Sequence, residues 1–297
     1  MAVAPRIVLV HRQTEREEII QEQGTWGQAE FVQKRRGVSL DPVQQRHELL
    51  GEALQTVSTA IPKEWRRGSV ERADLPRFLF EPEDVVVVVG QDGLVANTAK
   101  YLDGQPVIGV DPNQGAGLGV LARHPARDFE SLLSRVTAGK ASVEARTMVS
   151  AATEGGEELV ALNEVYLGHS GHQSARYLLT APDGASERHS SSGLLVGSGT
   201  GSTGWLLSIA RQRAHQIPLP EPTDPVLGWF VREAWPSPAT GASLTEGLLP
   251  PGAELTVRVE GESLVVFGDG IEDDRLVLGW GETVRIKAAE RRLRLVV

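Results

Sequence analysis

The chain has 297 residues, a formal net charge of −9 and no cysteine. That length holds two domains with separate cores, and the lack of cysteine removes disulfides, zinc–thiolate sites and thiol nucleophiles together. The acidic balance argues against a general binder of nucleic acid or anionic membrane; no run of about 18 apolar residues offers a membrane span, and the start, Met1-Ala2-Val3-Ala4-Pro5, lacks the basic segment and apolar core of a secretory signal, which fits a cytoplasmic protein.

Residues 6–10 read as a short apolar strand and 14–23 as a helix, while 31–39 is basic (Lys34, Arg35, Arg36) and ambiguous. A helix start follows, with Asp41 as N-cap, Pro42 at the first helical position and Gln44 at the capping-box position. Val43, His47, Leu50, Leu54, Val57 and Ile61 recur at spacings of three and four and make one apolar face, with His47 as a core-edge histidine and Pro62 closing the helix. Residues 69–71 suit a short strand. Val85, Val86, Val87, Val88 and Val89 are consecutive, the pattern of a strand buried on both faces in the middle of a parallel sheet. The strand stops at Gly90, and Gln91-Asp92-Gly93 leads into a helix over 94–102. Open α/β sheets bind ligands past the carboxyl ends of their strands, so Asp92 stands where such folds do chemistry. A plain strand-to-helix turn, for which Asp and Gly are ordinary residues, is the competing reading. A strand over 106–110, a Gly-rich loop over 111–119 and a helix containing 129–136 complete a half that alternates strand and helix. That order predicts a mostly parallel sheet with helices on its faces.

Near Gly139 the texture changes. Strands are expected over 159–167, 176–180 and 193–197, and residues 255–259, 264–266, 276–278, 284–286 and 293–297 alternate at period two. Pro250-Pro251-Gly252 and Gly268-Asp269-Gly270 supply turns between them. Alternation with frequent turns is the signature of antiparallel, half-buried strands. The expected organisation is an α/β domain over 1–140, carrying Gly90-Gln91-Asp92-Gly93, and a β-rich domain over 141–297. The second includes a helix near 205–213 and a Pro-rich connector over 218–225.

A second focus is Gly197-Ser198-Gly199-Thr200-Gly201-Ser202-Thr203-Gly204-Trp205, after an apolar strand and before a helix. It contains G-x-G-x-x-G but lacks the βαβ unit that a dinucleotide fingerprint needs, and it lacks the lysine of a Walker A loop. Small residues let a backbone approach a ligand, hydroxyls add donors, and a helix N-terminus favours anions; a flexible Gly/Ser turn is the alternative. A third focus is Asn163-Glu164, polar residues inside a strand-like run, suited to a ribose or base edge or, equally, to a strand end. Asp269, Glu272, Asp273 and Asp274 match no metal-loop spacing and read as a solvated hairpin loop. His169 and His172 read as loop histidines, and no Ser-His-Asp arrangement has supporting context.

Taken in order, the three foci resemble the NAD kinase family, whose superfamily also holds diacylglycerol and sphingosine kinases. The family's Gly-Gly-Asp-Gly appears as Gly90-Gln91-Asp92-Gly93, its Asn-Glu as Asn163-Glu164, and its Thr-Gly-Ser-Thr-Ala-Tyr as Thr200-Gly201-Ser202-Thr203-Gly204-Trp205. A later Asp-Gly matches Asp269-Gly270, and residues 106–112 and 230–233 look closer to the mitochondrial-type branch. The order fits from about Arg6 to the end. The chain departs from the family at Gln91, which adds a side chain where the backbone is expected to need positive φ, at Leu94 where Thr is usual, at Ser192 where an Asp is usual, and at Trp205 in place of Tyr.

The resemblance implies an α/β N-terminal domain, a sandwich-like C-terminal domain and a site in the cleft between them. It implies phosphoryl transfer from ATP to the 2′-hydroxyl of the adenosine ribose of NAD, giving NADP, with Mg²⁺ arriving on the nucleotide. Asp92 would take the hydroxyl proton, and Gly90, Gln91 and Gly93 would form the phosphate loop. Asn163 and Glu164 would hold the acceptor nucleoside. Thr200, Gly201, Ser202, Thr203, Gly204, Trp205 and Ser208 would line the dinucleotide subsite, with Trp205 offering a stacking face. A homodimer is implied. The alternatives are a kinase of the same superfamily with a different hydroxyl acceptor, and a non-catalytic dinucleotide-binding regulatory protein.

Overall fold

The computed structural model describes residues 4–113, 119–213 and 217–297. The middle of the expected Gly-rich loop, 114–118, lies outside the described residues. The chain divides into two compact units, Met1–Glu144 with Arg294–Val297, and Ala145–Leu293.

The first unit is built on a mostly parallel sheet. Its strands are β1 (Ile7–His11), β2 (Arg67–Glu71), β3 (Val85–Val89), β4 (Pro106–Asp111), the short β5 (His124–Pro125) and β6 (Val143–Arg146). The order runs β2-β1-β3-β4, then the chain's last strand, Leu293–Val296, then β6, with β5 alongside β4. The five valines of β3 are buried, with β1 and β4 paired to them in parallel on either side. Arg6 Nε and Nη2 donate to the two oxygens of buried Asp84, at 2.8 and 2.6 Å, and tie the starts of β1 and β3 together. The helices are α1 (Glu15–Gln23), α2 (Trp26–Arg35), α3 (Asp41–Ala60), α4 (Asp92–Ala99) and α5 (Phe129–Thr137). Val57 and Ile61 at the end of α3, together with Phe129 and Leu133 of α5, pack on Val85, Val87 and Val89.

The ambiguous basic stretch is helical through Arg35, as the end of α2. Two local expectations are corrected here. Asp41 is the first residue of α3 and not its cap: Leu40 occupies the N-cap, with no side-chain cap bond, and Ser39 Oγ accepts from the Asp41 amide at 3.1 Å. The last strand alternates like its antiparallel predecessors, yet it pairs in parallel with β4, Leu295 facing Val107. Alternation reports burial of one face; it does not specify the direction of the neighbouring strand.

The second unit is an antiparallel β-sandwich. Its strands are β7 (Val149–Thr153), β8 (Glu158–Ala161), β9 (Glu164–Gly168), β10 (Ala175–Thr180), β11 (Ser186–Ser191), β12 (Gly193–Gly197), β13 (Leu227–Arg232), β14 (Glu246–Leu249), β15 (Glu254–Val259), β16 (Ser263–Gly268), β17 (Ile271–Gly279) and β18 (Thr283–Ala288), before the closing β19 (Leu293–Val296). One sheet runs β11-β10-β15-β18-β7-β8 and the other β14-β13-β12-β9-β16-β17. Inward residues of both, such as Tyr177, Val257 and Ile286 from the first and Val165, Val196 and Trp229 from the second, share one core. Helix α6 (Trp205–Arg211) lays Leu206 and Ala210 on Leu195 and Phe230. It ends two residues short of the expected Arg213. Glu272, Asp273 and Asp274 are exposed residues of β17 and not part of a loop. Among the described residues, no helix is long and apolar enough to cross a membrane.

Candidate active site

In the first unit the site begins where β3 ends. The Gly90 amide donates to the Val110 carbonyl at 2.9 Å, a bond between the ends of β3 and β4. A Cβ on Gly90 would lie 2.9 Å from Leu94 Cδ2, so glycine lets the first turn of α4 fold back over the strand end. Leu94 is thereby a buried packing residue. Gln91 is the N-cap of α4, with φ −85° and ψ 166°. The expectation that position 91 needs a left-handed backbone is corrected, because extended backbone of this kind suits any residue. Its side chain is exposed.

Asp92 opens α4. Its Oδ2 accepts from the Val120 amide at 2.7 Å, and its Oδ1 accepts from the Leu121 and Ala122 amides at 3.0 and 2.8 Å. Two glycines make this approach sterically open. A Cβ on Gly119 would lie 2.5 Å from Asp92 Oδ1, and a Cβ on Gly109 2.2 Å from the Leu121 carbonyl oxygen. Each carboxylate oxygen offers two lone-pair directions. Oδ1 has filled both, while Oδ2 keeps one for a further donor.

Asp92 lines a cavity of about 290 Å³, together with Arg12, Thr14, His47, Gln91 and Asp111. These residues come from the carboxyl ends of β1, β3 and β4, or just beyond them, and from α3, where an open sheet presents its ligand site. Thr14 caps α1 in a capping box with Glu17. Its hydroxyl donates to Glu17 Oε2 at 2.9 Å and lies 2.9 Å from His47 Nδ1. A hydroxyl has one proton to give, so His47 Nδ1 is the donor in the second bond. The Thr14 amide, first among several causes, holds the Glu17 carboxyl below its ordinary value. His47 is thus a wall of the cavity as well as a residue on the inner side of α3.

In the second unit, the expected strand over 159–167 breaks at Leu162-Asn163. Strand β8 lies in one sheet and β9 in the other, so the chain crosses the sandwich at this point. Every backbone polar group of the crossing is committed. The Leu162 and Asn163 amides each donate to Asp269 at 2.7 Å, to Oδ2 and Oδ1 respectively. The Leu162 carbonyl accepts from Ser198 Oγ at 2.5 Å, and the Asn163 carbonyl accepts from the Ser198 amide at 2.8 Å.

Ser198 belongs to the glycine run, so two of the motifs meet here. Glycine is required for the contact: a Cβ on Gly201 would lie 2.3 Å from the Asn163 carbonyl oxygen, and one on Gly199 1.8 Å from that of Glu221. The run is therefore packed backbone and not a flexible linker. Thr200 and Gly201 are buried within it, Ser202 is half-buried, and Thr203, Gly204 and Ser208 are exposed. A 3₁₀ turn, Gly201–Thr203, precedes α6. The Trp205 ring stacks on Tyr166 with centroids 5.8 Å apart, and the Arg232 guanidinium lies 5.2 Å from its centroid. Its expected stacking face is already in contact with the protein.

Glu164 starts β9, and burial, with the Asp269 charge as the second cause, pushes its carboxyl up to about 8. Asn163 and Glu164 side chains make no hydrogen bond to the protein among the described residues. Sequence reasoning gave no role to Asp269, which it read with the solvated acidic loop and matched to the family's later Asp-Gly, nor to Ser198 or Gly119. The Asp269-Gly270 pair was legible as a two-residue hairpin turn; its partners on another strand were not.

No family model matches the chain. Curated relatives do. An NAD kinase of Saccharophagus degradans is 34% identical over 138 residues, 44% of this chain and 46% of the relative. An NAD kinase of Cupriavidus pinatubonensis is 31% identical over 185 residues, 59% of this chain and 55% of the relative. The chain thus spans about half the length of these two. An NAD kinase of Geobacter metallireducens is 27% identical over 224 residues, 72% of this chain and 73% of the relative. Over these stretches the chain is similar in sequence to proteins named NAD kinase.

Proposed function

We propose that the protein transfers the terminal phosphoryl group of ATP to the 2′-hydroxyl of the adenosine ribose of NAD, giving NADP. The sequence similarity to NAD kinases carries this reading, and the cavity beside Asp92 supports it. Phosphoryl transfer asks a protein for positioning, charge neutralisation and an acceptor for the hydroxyl proton. Asp92 is that acceptor, at Oδ2, the oxygen with a lone pair remaining. The cavity beside it takes the donor, with the exposed Gln91 and Gly93 at the phosphate end. Mg²⁺ would arrive on the nucleotide and would need only one or two protein carboxylates; Asp111, which also lines the cavity, would supply one.

Asn163 and Glu164 hold the acceptor nucleoside. Thr203, Gly204, Trp205 and Ser208 form the accessible part of the dinucleotide subsite, while Thr200, Gly201 and Ser202 shape it from within. A homodimer in the cytoplasm is the proposed assembly and location. Incubation with ATP, Mg²⁺ and NAD should yield NADP, measured by a dehydrogenase specific for NADP. Absence of NADP, with the protein shown folded, overturns the proposal.

A further inference from the structure

Asp269 and Gly270 form the two-residue turn between β16 and β17, with φ of +51° and +70°. Left-handed backbone at both positions is the geometry that favours asparagine, aspartate or glycine in tight hairpins. Glycine would take position 269 without the crowding a Cβ brings. The aspartate makes contacts that glycine cannot. Both its oxygens accept the consecutive amides of Leu162 and Asn163, and its own amide donates to the Glu164 carbonyl at 3.1 Å. Three hydrogen bonds thus stitch the hairpin turn to the crossing between the two sheets. The two carbonyls of that crossing are held from the glycine run by Ser198. The backbone of Leu162 and Asn163 is fully bound, while the side chains of Asn163 and Glu164 are not engaged by the protein among the described residues. A turn whose main chain is fastened and whose polar side chains are unspent is preorganised to bind something polar.

We infer that Asp269 is a positioning residue, which sets the Asn163-Glu164 turn for a ribose-bearing ligand without touching that ligand. The inference deepens the proposed function and rests on it for the identity of the ligand. Asp269 also acts on Glu164 through its charge. Glu164 faces Gly197 of β12 across one side, and on the other its carbonyl accepts from the Asp269 amide; among the described residues Asp269 is the charge that reaches it. An ionised Asp269 favours a protonated Glu164, which can then donate a hydrogen bond as well as accept one.

Two variants test this. Asp269→Gly keeps a residue suited to the left-handed turn and removes the clamp; Asp269→Asn keeps the side-chain shape and removes the charge. Amide exchange at Leu162 and Asn163, read by NMR without ligand, should rise about tenfold or more in Asp269→Gly. Calorimetric affinity for NAD should fall about tenfold in that variant, the loss of one buried charged hydrogen-bonding partner, with ATP affinity unchanged. The Glu164 carboxyl titration, followed by ¹³C NMR, should move to lower pH in both variants, a change that a purely structural role would not produce. Unchanged exchange overturns the clamp. Faster exchange with unchanged NAD affinity overturns the positioning role, and an unmoved Glu164 titration overturns the charge coupling. Failure of the unsubstituted protein to bind NAD overturns the proposed function and the acceptor half of this inference, whereas the exchange and titration results stand or fall alone.

Discussion

Asp92 and Asp269 do the same thing in different units: each carboxylate gathers consecutive backbone amides from a distant segment. Asp92 gathers Val120, Leu121 and Ala122, and Asp269 gathers Leu162 and Asn163. The difference lies in what surrounds each. Asp92 is half-buried on the wall of a cavity, at the end of a strand, with one lone pair of Oδ2 uncommitted. Asp269 is half-buried too, but it sits in a hairpin turn, where both its oxygens bind the amides of the crossing between the sheets. Amide binding fixes a carboxylate in place in either setting; cavity exposure then decides whether it can also react. The first is therefore a candidate for chemistry, the second for support.

The largest expected effect separates these roles. Asp92→Asn should lower kcat for NADP formation by roughly 10²–10⁴, because the amide cannot take the hydroxyl proton. Near-wild-type turnover would remove Asp92 from its role as base and leave both aspartates as clamps. A melting curve alongside shows how much of the loss comes from the freed 120–122 segment.

Glycines that admit the clamped segments come next. Gly201→Ala or Gly199→Ala would force a Cβ against backbone oxygen at 2.3 and 1.8 Å and should cost about 1–3 kcal/mol in a denaturant titration. Gly93→Ala meets nothing within 4 Å in the first turn of α4 and should be neutral or stabilising by up to about 1 kcal/mol. A reversal of that order would show that the glycine run is looser than its contacts indicate.

Glu164 tests the electrostatic side of the second clamp. Burial, with Asp269 second, raises its folded value from the ordinary 4.5 to about 8. Between those values the folded protein holds a proton that the unfolded chain has lost. Stability should therefore fall as pH rises across that window and level off above it, by at most a few kcal/mol. Glu164→Gln should flatten the slope, measured by urea unfolding at several pH values; an unchanged slope would mean that Glu164 ionises at its ordinary pH. Glu164→Ala should raise KM for NAD about tenfold, with KM for ATP nearly unchanged. Equal loss toward both substrates would give the residue a structural role.

Gln91→Gly should do least. The backbone at 91 is extended, so glycine relieves no strain there, and stability should change by no more than about 1 kcal/mol. A large rise in kcat/KM for ATP would show that the glutamine side chain obstructs the donor.

Local pattern made much of this legible. The valine run announced a central parallel strand because a strand buried on both faces has no polar side to show. Asp41-Pro42 marked a helix start to within one residue, and period-two alternation marked the sandwich strands, because capping and pleating act over a few residues. Asp92 was legible because strand ends in open sheets are where ligands bind. What only the tertiary structure decided depends on partners far apart in the chain. Leu162 and Asp269 are 107 positions apart, and no local period connects them. The closing strand pairs with β4 across 188 positions, Arg294 with Pro106, and its alternation does not specify which sheet it joins. The backbone angle at Gln91 was set by how α4 folds over Gly90, a packing event that a motif comparison does not contain. Local sequence dictates which elements form, because their periodicities are short-range; pairing and side-chain reach dictate that Asp92 lines a cavity and Asp269 clamps the crossing between the sheets, because those are properties of segments brought together only in the fold.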